Sequence, residues 1–256
     1  MSTKDNLNDK QINLINFEVE HFKKRWNGKI NFSQLDSDNV GECIKHALSD
    51  ALNQGARRAG VQYQPILTIP NEFRDKFIEV AKGKKHISNK CQFKELFDDL
   101  KNDFLNLLKS NDLEVLSKFG FAQKFINMTF KYLYCFDDCK KENLQFCHLP
   151  LDKYTIDWYK QYGVKDKINR FKKLNFSWSN IDEDLYWDIQ DDIDSKLNNN
   201  NVYYQINCKD PSQIIILPKC KIEVEFIVWM QQQLNGVYNT LSKLKDYYER
   251  LGIKEI

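Results

Sequence analysis

Apolar residues recur along this chain with the spacing of an α-helix. Between residues 93 and 108 they fall at every third or fourth position, which places one stripe on one helix face: Phe93, Leu96, Phe97, Leu100, Phe104, Leu107 and Leu108. Similar patterns predict helices at residues 13–26, 40–59, 72–81, 125–133, 155–162 and 182–197. The sequence therefore predicts a mainly α-helical protein.

The last part of the chain departs from this pattern once. Two short β-prone runs, 202–206 and 213–217, flank a turn-rich connection, which predicts one small β-hairpin near residues 202–217. A long C-terminal helix is predicted after Pro218, because an apolar stripe continues through Ile227, Met230, Leu234, Val237, Tyr238, Leu241, Leu244, Tyr248 and Leu251. If this face is exposed, it favours a protein partner.

Length and composition limit the architecture. The chain has 256 residues, of which 42% are hydrophobic, with only 9 Gly and 5 Pro, so collagen-like and fully disordered chains are excluded. A core of substantial size is expected. We expect residues 1–256 to form either a single all-α domain or two lobes. The lobes would be about residues 40–112 with the C-terminal helices, and about residues 113–200.

Charge and targeting signals give little direct indication of a partner. The 38 basic and 36 acidic residues leave a net charge of +2, so a nucleic-acid surface would have to be local, for example the basic segment 165–173. The sequence has neither a long apolar run nor a signal-peptide pattern, so we expect a cytoplasmic protein with no membrane partner. Seven cysteines, an odd number, favour reduced thiols.

Two segments have the residues that chemistry needs. Gly120 and the small Ala122 precede the predicted helix 125–133, and a tight turn there would leave backbone N–H groups free to hold a phosphate. Further along, Pro150 is followed by Asp152 at the start of another predicted helix, the position of an N-cap.

These segments, Gly120-Phe121-Ala122-Gln123-Lys124 and Leu149-Pro150-Leu151-Asp152, resemble a known family in their residues and their order. The family is that of the helix-hairpin-helix DNA glycosylases, in particular the 8-oxoguanine-excising glycosylase/lyases with a catalytic lysine. The match covers about residues 113–159, and the long interval between Lys124 and Asp152 is closer to the archaeal-type branch. The resemblance implies a two-lobed helical fold with a helix-hairpin-helix element that acts on double-stranded DNA. We expect neither a cofactor nor a metal.

The resemblance also implies roles for individual residues. Lys124 would attack the anomeric carbon of the deoxyribose and form a Schiff base, which would then permit β-elimination at the abasic site. Asp152 would stabilise the cationic sugar and help to move the proton. The other residues that the resemblance implicates are Gly120, Ala122, Gln123 and Lys118 for DNA binding, and Phe121, Phe125 and Trp158 for the pocket of the flipped base.

The same residues also allow a purely structural interpretation. Gly120 would then be an ordinary turn residue, Lys124 an exposed first-turn residue and Asp152 only an N-cap. The protein would in that case be a non-catalytic helical interaction or regulatory protein. One arrangement separates the two interpretations, since the enzyme needs the Lys124 amine within hydrogen-bond or water-bridged reach of the Asp152 carboxylate, in an open basic cleft.

Three cysteines and a histidine form a second cluster in the sequence: Cys135, Cys139, Cys147 and His148. Structural zinc sites usually contain a tight Cys-x-x-Cys pair, which these spacings lack. The pattern favours buried thiols over a metal site, although the sequence alone leaves metal binding open.

Overall fold

The computed structural model describes residues 15–26, 28–61, 69–162, 177–198, 204–205, 215–216, 218–230 and 232. The helices are α1 (residues 15–25), α2 (Ser37–Ala59), α3 (Asn71–Ala81), α4 (Lys90–Ser110), α5 (Phe119–Tyr134), α6 (Lys153–Tyr162), α7 (Glu183–Asn198) and α8 (residues 221–230). Short 3₁₀ turns cover Glu114–Leu116, Lys141–Leu144 and Trp178–Asn180. The prediction of a mainly α-helical protein is confirmed.

Capping residues explain where the helices begin and end. The Asp36 side chain accepts a hydrogen bond from the Asn39 backbone N–H, so α2 starts at Ser37, three residues before its first apolar position. At the other end Gly60 has a φ of 66°, the left-handed conformation that glycine adopts most readily. Asn89 caps α4 in the same manner as Asp36, by accepting from the Gln92 N–H.

A short pair of strands lies in the segment for which the sequence predicts a hairpin. Strands β1 (Tyr204–Gln205) and β2 (Ile215–Ile216) are antiparallel, with Tyr204 opposite Ile216 and Gln205 opposite Ile215. The connection between them lies outside the described residues. So do the basic segment 165–173 and the part of the predicted C-terminal stripe beyond residue 232.

Helix α5 is the centre of the core. It packs against α2, α3 and α4, and all of its residues are buried except Phe119 and Lys124, which are partly exposed. A helix that is apolar on nearly every side has to be enclosed by other elements. Lys124 is therefore the one charged side chain of this helix with access to the surface, since Lys131 is buried.

The described core is continuous. Buried side chains from residues 40–112 and from residues 113–200 belong to one cluster, and they include residues of α2, α4, α5 and α7. None of the helices in the described ranges combines the length and apolarity needed to span a bilayer. The six cysteines in those ranges are free thiols, and all of them except Cys91 are buried.

The predicted phosphate-holding turn at Gly120 is wrong in its geometry. Helix α5 begins at Phe119, so Gly120 and Ala122 lie in its first turns and are buried. A Cβ atom added to Gly120 would lie 2.5 Å from the Trp178 carbonyl oxygen and 2.6 Å from backbone atoms of Ser179. Gly120 thus allows the 3₁₀ turn at Trp178–Asn180 to approach α5, and the apolar residues around it continue the buried face of the helix.

We expect Gly120→Ala to lower the free energy of unfolding by about 1–3 kcal/mol, because the new methyl group overlaps backbone that has little room to move. Urea unfolding followed by circular dichroism measures this change. Gly41→Ala is the matched control, since a Cβ there would lie 3.6 Å from the nearest atom, Nη1 of Arg74, inside helix α2. The control should be neutral or stabilising by up to about 1 kcal/mol. Equal effects of the two substitutions would contradict the close packing at Gly120.

Candidate functional site

Lys124 and Asp152 lie side by side. The Lys124 Nζ is 3.3 Å from Oδ2 of Asp152, and the side chains are 12% and 17% exposed respectively. Both are shielded from most of the solvent, yet neither is sealed in the interior. The distance meets the first part of the enzyme criterion, and it excludes a Lys124 side chain that points into bulk solvent. The second part, a basic cleft, is not observed among the described residues, because the charged neighbours that act on Lys124 there include the carboxylates of Asp152 and Asp50.

The two oxygens of Asp152 have different partners. Oδ1 accepts hydrogen bonds from the N–H groups of Tyr154 (2.9 Å) and Thr155 (3.2 Å), which makes Asp152 the N-cap of α6. Thr155 returns the interaction, because its Oγ1 accepts from the Asp152 N–H at 2.8 Å. The predicted N-cap is therefore confirmed. Since the cap fixes the orientation of the carboxylate, Oδ2 is left directed at Lys124.

A pair of buried glutamines holds the segment in front of Asp152. Gln123 donates to the Leu151 carbonyl oxygen at 2.7 Å and accepts from the Leu151 N–H at 3.0 Å. Gln190 on α7 makes the same two bonds with Leu149, at 2.7 and 3.1 Å. Both backbone groups of each leucine are thereby satisfied without a neighbouring strand. Gln123, adjacent to Lys124 in sequence, thus ties α5 to the residue that precedes Asp152.

Trp178 covers the Lys124 amine. The Nζ lies 4.7 Å from the centre of the indole ring, a distance at which an ammonium or iminium cation is attracted to the ring face. Trp178 reaches this position from the 3₁₀ turn that packs on Gly120. The sequence did not indicate this contact, because Trp178 is far from Lys124 in the chain and belongs to no recognisable pattern.

A second carboxylate, Asp50 on α2, acts on Lys124 electrostatically. Its side chain is exposed, and its Oδ2 accepts a hydrogen bond from the Tyr132 hydroxyl at 3.0 Å. The pKa of Asp50 is raised because the surrounding protein displaces water, and the charge of Lys124 offsets part of this effect. Asp50 is therefore a second negative charge near the Lys124 amine.

A buried ion pair lies close enough to Lys124 and Asp152 to interact with them electrostatically. Lys131 on α5 is 2.9 Å from Glu225 on α8, and both side chains are buried. Burial raises the pKa of Glu225 to about 7, although Lys131 opposes the shift; the negative charge of Asp152 contributes a smaller upward effect. The site therefore consists of two lysines on one helix that are matched by carboxylates from three other segments.

The residues expected to bind DNA are not brought together as predicted. Gly120, Ala122 and Gln123 are buried in α5, where Gln123 has no solvent-exposed surface. Only Lys118, just before the helix, is exposed; its amine donates to the Asn180 Oδ1 at 3.2 Å. The three buried residues do not form a surface turn, because they belong to a helix that is enclosed by other elements. Their positions serve the packing of this helix.

The residues expected to form the base pocket are also buried. Phe125 stacks on Phe104 with ring centres 4.4 Å apart, and Trp158 is 5% exposed. Phe121 meets Trp178 edge to face at 5.4 Å. Phe125 and Trp158 are therefore core residues in this conformation, whereas Phe121 supports the indole ring that covers Lys124.

The cysteine and histidine cluster has the character of core residues. Burial raises the pKa of the Cys135 and Cys139 thiols to about 12 and that of Cys147 well above its ordinary value. The His148 Nδ1 is 2.9 Å from the Tyr186 hydroxyl, and burial lowers the pKa of His148 well below its ordinary value. No group of three or more metal-ligating side chains occurs in the part of the chain that the structure describes. The prediction of buried thiols is confirmed.

We expect Gln123→Met to destabilise the protein by about 2–5 kcal/mol, since it leaves the buried N–H and C=O of Leu151 without partners. Chemical denaturation monitored by tryptophan fluorescence gives this value. The same replacement at the exposed Gln92 of α4 serves as the control and should cost under about 1 kcal/mol. Comparable losses at positions 92 and 123 would show that Gln123 does not hold Leu151 in place.

The candidate site thus rests on this chain's own residues: an amine and a carboxylate in contact, an indole ring over the amine, and a further carboxylate, Asp50, that interacts with the amine electrostatically. The resemblance to lysine-dependent glycosylases remains confined to the two segments that end at Lys124 and Asp152. No model of a protein family matches the chain, and no curated protein or solved structure does so either.

Proposed function

We propose that this protein is a DNA glycosylase/lyase that removes an oxidised base through a Schiff base on Lys124. The observation that carries the proposal is the 3.3 Å contact between the Lys124 amine and the Asp152 carboxylate at a partly shielded site. A nucleophile within hydrogen-bond reach of a positioned acid/base is the arrangement that covalent catalysis requires.

The reaction assigns a defined task to each group. Lys124 attacks C1′ of the deoxyribose as a neutral amine, so its ammonium form first gives up a proton, for which Asp152 Oδ2 is a neighbouring acceptor. The bond from C1′ to the base breaks, and the base leaves with the bonding electron pair and takes up the proton that Asp152 accepted, which returns Asp152 to its carboxylate form. Loss of a proton from the attacking nitrogen and opening of the sugar ring then give the iminium form of the Schiff base.

The surroundings of Lys124 favour the cationic species along this route. Asp152 and the more distant Asp50 carry negative charge near the position where the sugar and then the iminium become positive. The indole ring of Trp178 adds an attractive face for the same charge. From the iminium, removal of a C2′ proton and departure of the 3′-oxygen complete β-elimination.

The alternative is a non-catalytic interaction protein. That interpretation depended on an exposed apolar face of the C-terminal helix, and the residues beyond 232 that would form it lie outside the described part of the chain. The described residues contain no observation that favours it over the Lys124–Asp152 chemistry. It becomes the preferred function if the following experiments fail.

We expect borohydride to trap a covalent complex between the protein and duplex DNA that contains 8-oxoguanine or an abasic site. The Lys124→Gln variant should give no adduct, because the reduced bond is formed by its amine. Lys160→Gln is the matched control: Lys160 is half-exposed on α6 and pairs with Asp157, so its loss should leave trapping unchanged. Gel electrophoresis after reduction separates the adduct from free protein.

Absence of an adduct with both oligonucleotides in the wild-type protein would rule out the proposed chemistry. An adduct that persists in a folded Lys124→Gln variant would show that another amine reacts.

We expect Asp152→Asn to slow formation of the trapped complex by about 10²–10⁴-fold, because the amide cannot accept the lysine proton. The cap of α6 should survive, since the asparagine Oδ1 accepts the same backbone hydrogen bonds, and stability should change by less than about 1 kcal/mol. Asp36→Asn, at the cap of α2, applies the same replacement at a site away from Lys124 and should not alter the rate. Rapid-quench trapping and urea titration provide the two measurements, and unaltered kinetics in the Asp152 variant would remove that residue from the mechanism.

A further inference from the structure

A small cavity is lined in part by Trp178, the residue whose ring covers the Lys124 amine. Its volume is about 280 Å³, and it lies between the C-terminal end of α2, the start of α5 and the turn at Ser177–Asn180. The indole ring is common to both places, because Trp178 lines the cavity while its ring face is 4.7 Å from the Lys124 Nζ. The cavity is therefore a neighbour of the candidate catalytic site.

The rim of this cavity is cationic. Arg58 and Lys118 both line it, together with the hydroxyl-bearing side chains Ser177 and Ser179, which are hydrogen-bonded to each other at 2.9 Å. No carboxylate lines the cavity in the described ranges, and within those ranges neither cation forms an ion pair. Positive charge with hydroxyl donors and no acid is the composition that binds a phosphate group.

The floor of the same cavity is apolar and aromatic. Leu116, Phe121 and Trp178 form it, and their side chains are nearly inaccessible to bulk water. Gly55 on α2 makes this floor possible, because a Cβ atom there would overlap the ring of Phe121. Side chains covered to this extent offer little area for a base to stack on, so the cations and the serine hydroxyls are the groups that would recognise a ligand here.

Size limits what the cavity can hold. Its volume of about 280 Å³ is near the lower limit of about 300 Å³ for pockets that enclose drug-sized ligands, so it accommodates one small unit and no longer stretch of strand. Trp178 lines the cavity and also covers the Lys124 amine, so the cavity is a neighbouring contact for a strand whose sugar reacts at Lys124.

We infer that the cavity between Arg58, Lys118 and Trp178 binds a single unpaired nucleotide of the DNA strand, next to the one that Lys124 attacks. This inference rests on the proposed function for the identity of the strand. The two cations share one phosphate, and the hydroxyl groups of Ser177 and Ser179 line the same cavity.

The test is equilibrium binding of a fluorescein-labelled single-stranded DNA octamer, followed by anisotropy in the Lys124→Gln background so that no reaction occurs. Arg58→Gln should weaken binding about 10-fold, the usual effect of losing one charge-assisted hydrogen bond. Val115→Glu places an acid at the rim, where the native side chain is 49% exposed, and should weaken binding at least as much. Arg57→Gln is the matched control, because Arg57 is the exposed neighbour of Arg58 and does not line the cavity.

Salt dependence tests whether the cations share a phosphate. For single strands the slope of log K against log salt changes by about 0.7 for each phosphate that the protein no longer neutralises. The Arg58→Gln/Lys118→Gln double variant should therefore reduce the slope by about 0.7 in total, and neither single variant should reduce it further than that. A reduction of about 1.4 in the double variant would mean two separate phosphates and would overturn the shared one.

Unchanged affinity in both Arg58→Gln and Val115→Glu would overturn the cavity as a binding site. Deoxyguanosine monophosphate that binds as tightly as the octamer would overturn the assignment to a strand, because a free nucleotide would then be the ligand. The two proposals fail separately. A missing borohydride adduct with normal octamer binding speaks against Lys124 chemistry alone, and an adduct with cavity-independent binding speaks against the cavity alone.

Discussion

The complete enclosure of α5 is the constraint on which the rest of this structure depends. A helix surrounded on every side needs a partner for each polar side chain, because an unpaired polar group in the interior costs several kcal/mol. Gln123 binds Leu151, Asn127 donates to the Tyr186 hydroxyl at 2.8 Å, and Lys131 pairs with Glu225. These interactions connect α5 to α7, to α8 and to the segment before α6. Lys124 lies at an opening in this enclosure. It is one of two partly exposed residues of α5, and the other, Phe119, carries no charge.

Charge is distributed unevenly around that opening. Carboxylates reach it from α2 and from the start of α6, and Glu225 of α8 stands behind it. Negative charge around an amine serves the positively charged states of a sugar and of an iminium equally well, since the interaction depends on charge and distance and not on the identity of the cation. The indole of Trp178 acts in the same direction. Trp178 also lines the cavity that Arg58 and Lys118 border, so cationic side chains occur near this ring as well.

Much of the fold could be predicted from the sequence, whereas the surroundings of the site could not. The apolar stripe from Phe93 to Leu108 predicts α4 to within a few residues, because the period of a helix is visible in consecutive positions. Lys124 and Asp152 could be singled out from short motifs, and their proximity follows from contacts that sequence does not display. Gln123 was expected to bind DNA, which requires a surface position, and glutamine usually lies on the surface. Its interior role follows from the enclosure of α5, which the sequence does not show. Trp178 and Asp50 approach from distant segments, so no local pattern marks them.

The two oxygens of the Asp152 carboxylate have different partners, and this limits the substitutions that position 152 can accept. Oδ1 of Asp152 caps helix α6 and Oδ2 faces the Lys124 amine, so a substitution at this position affects two interactions. The longer side chain of glutamate would have to make both interactions from a different distance. Lys124 takes part in only the second of these interactions. If Lys124 and Asp152 perform the proposed reaction, a descendant that lost the reaction would still need a short capping side chain at position 152, whereas position 124 would accept other residues. In such a lineage, loss of the proposed function would therefore first become visible as substitutions at position 124.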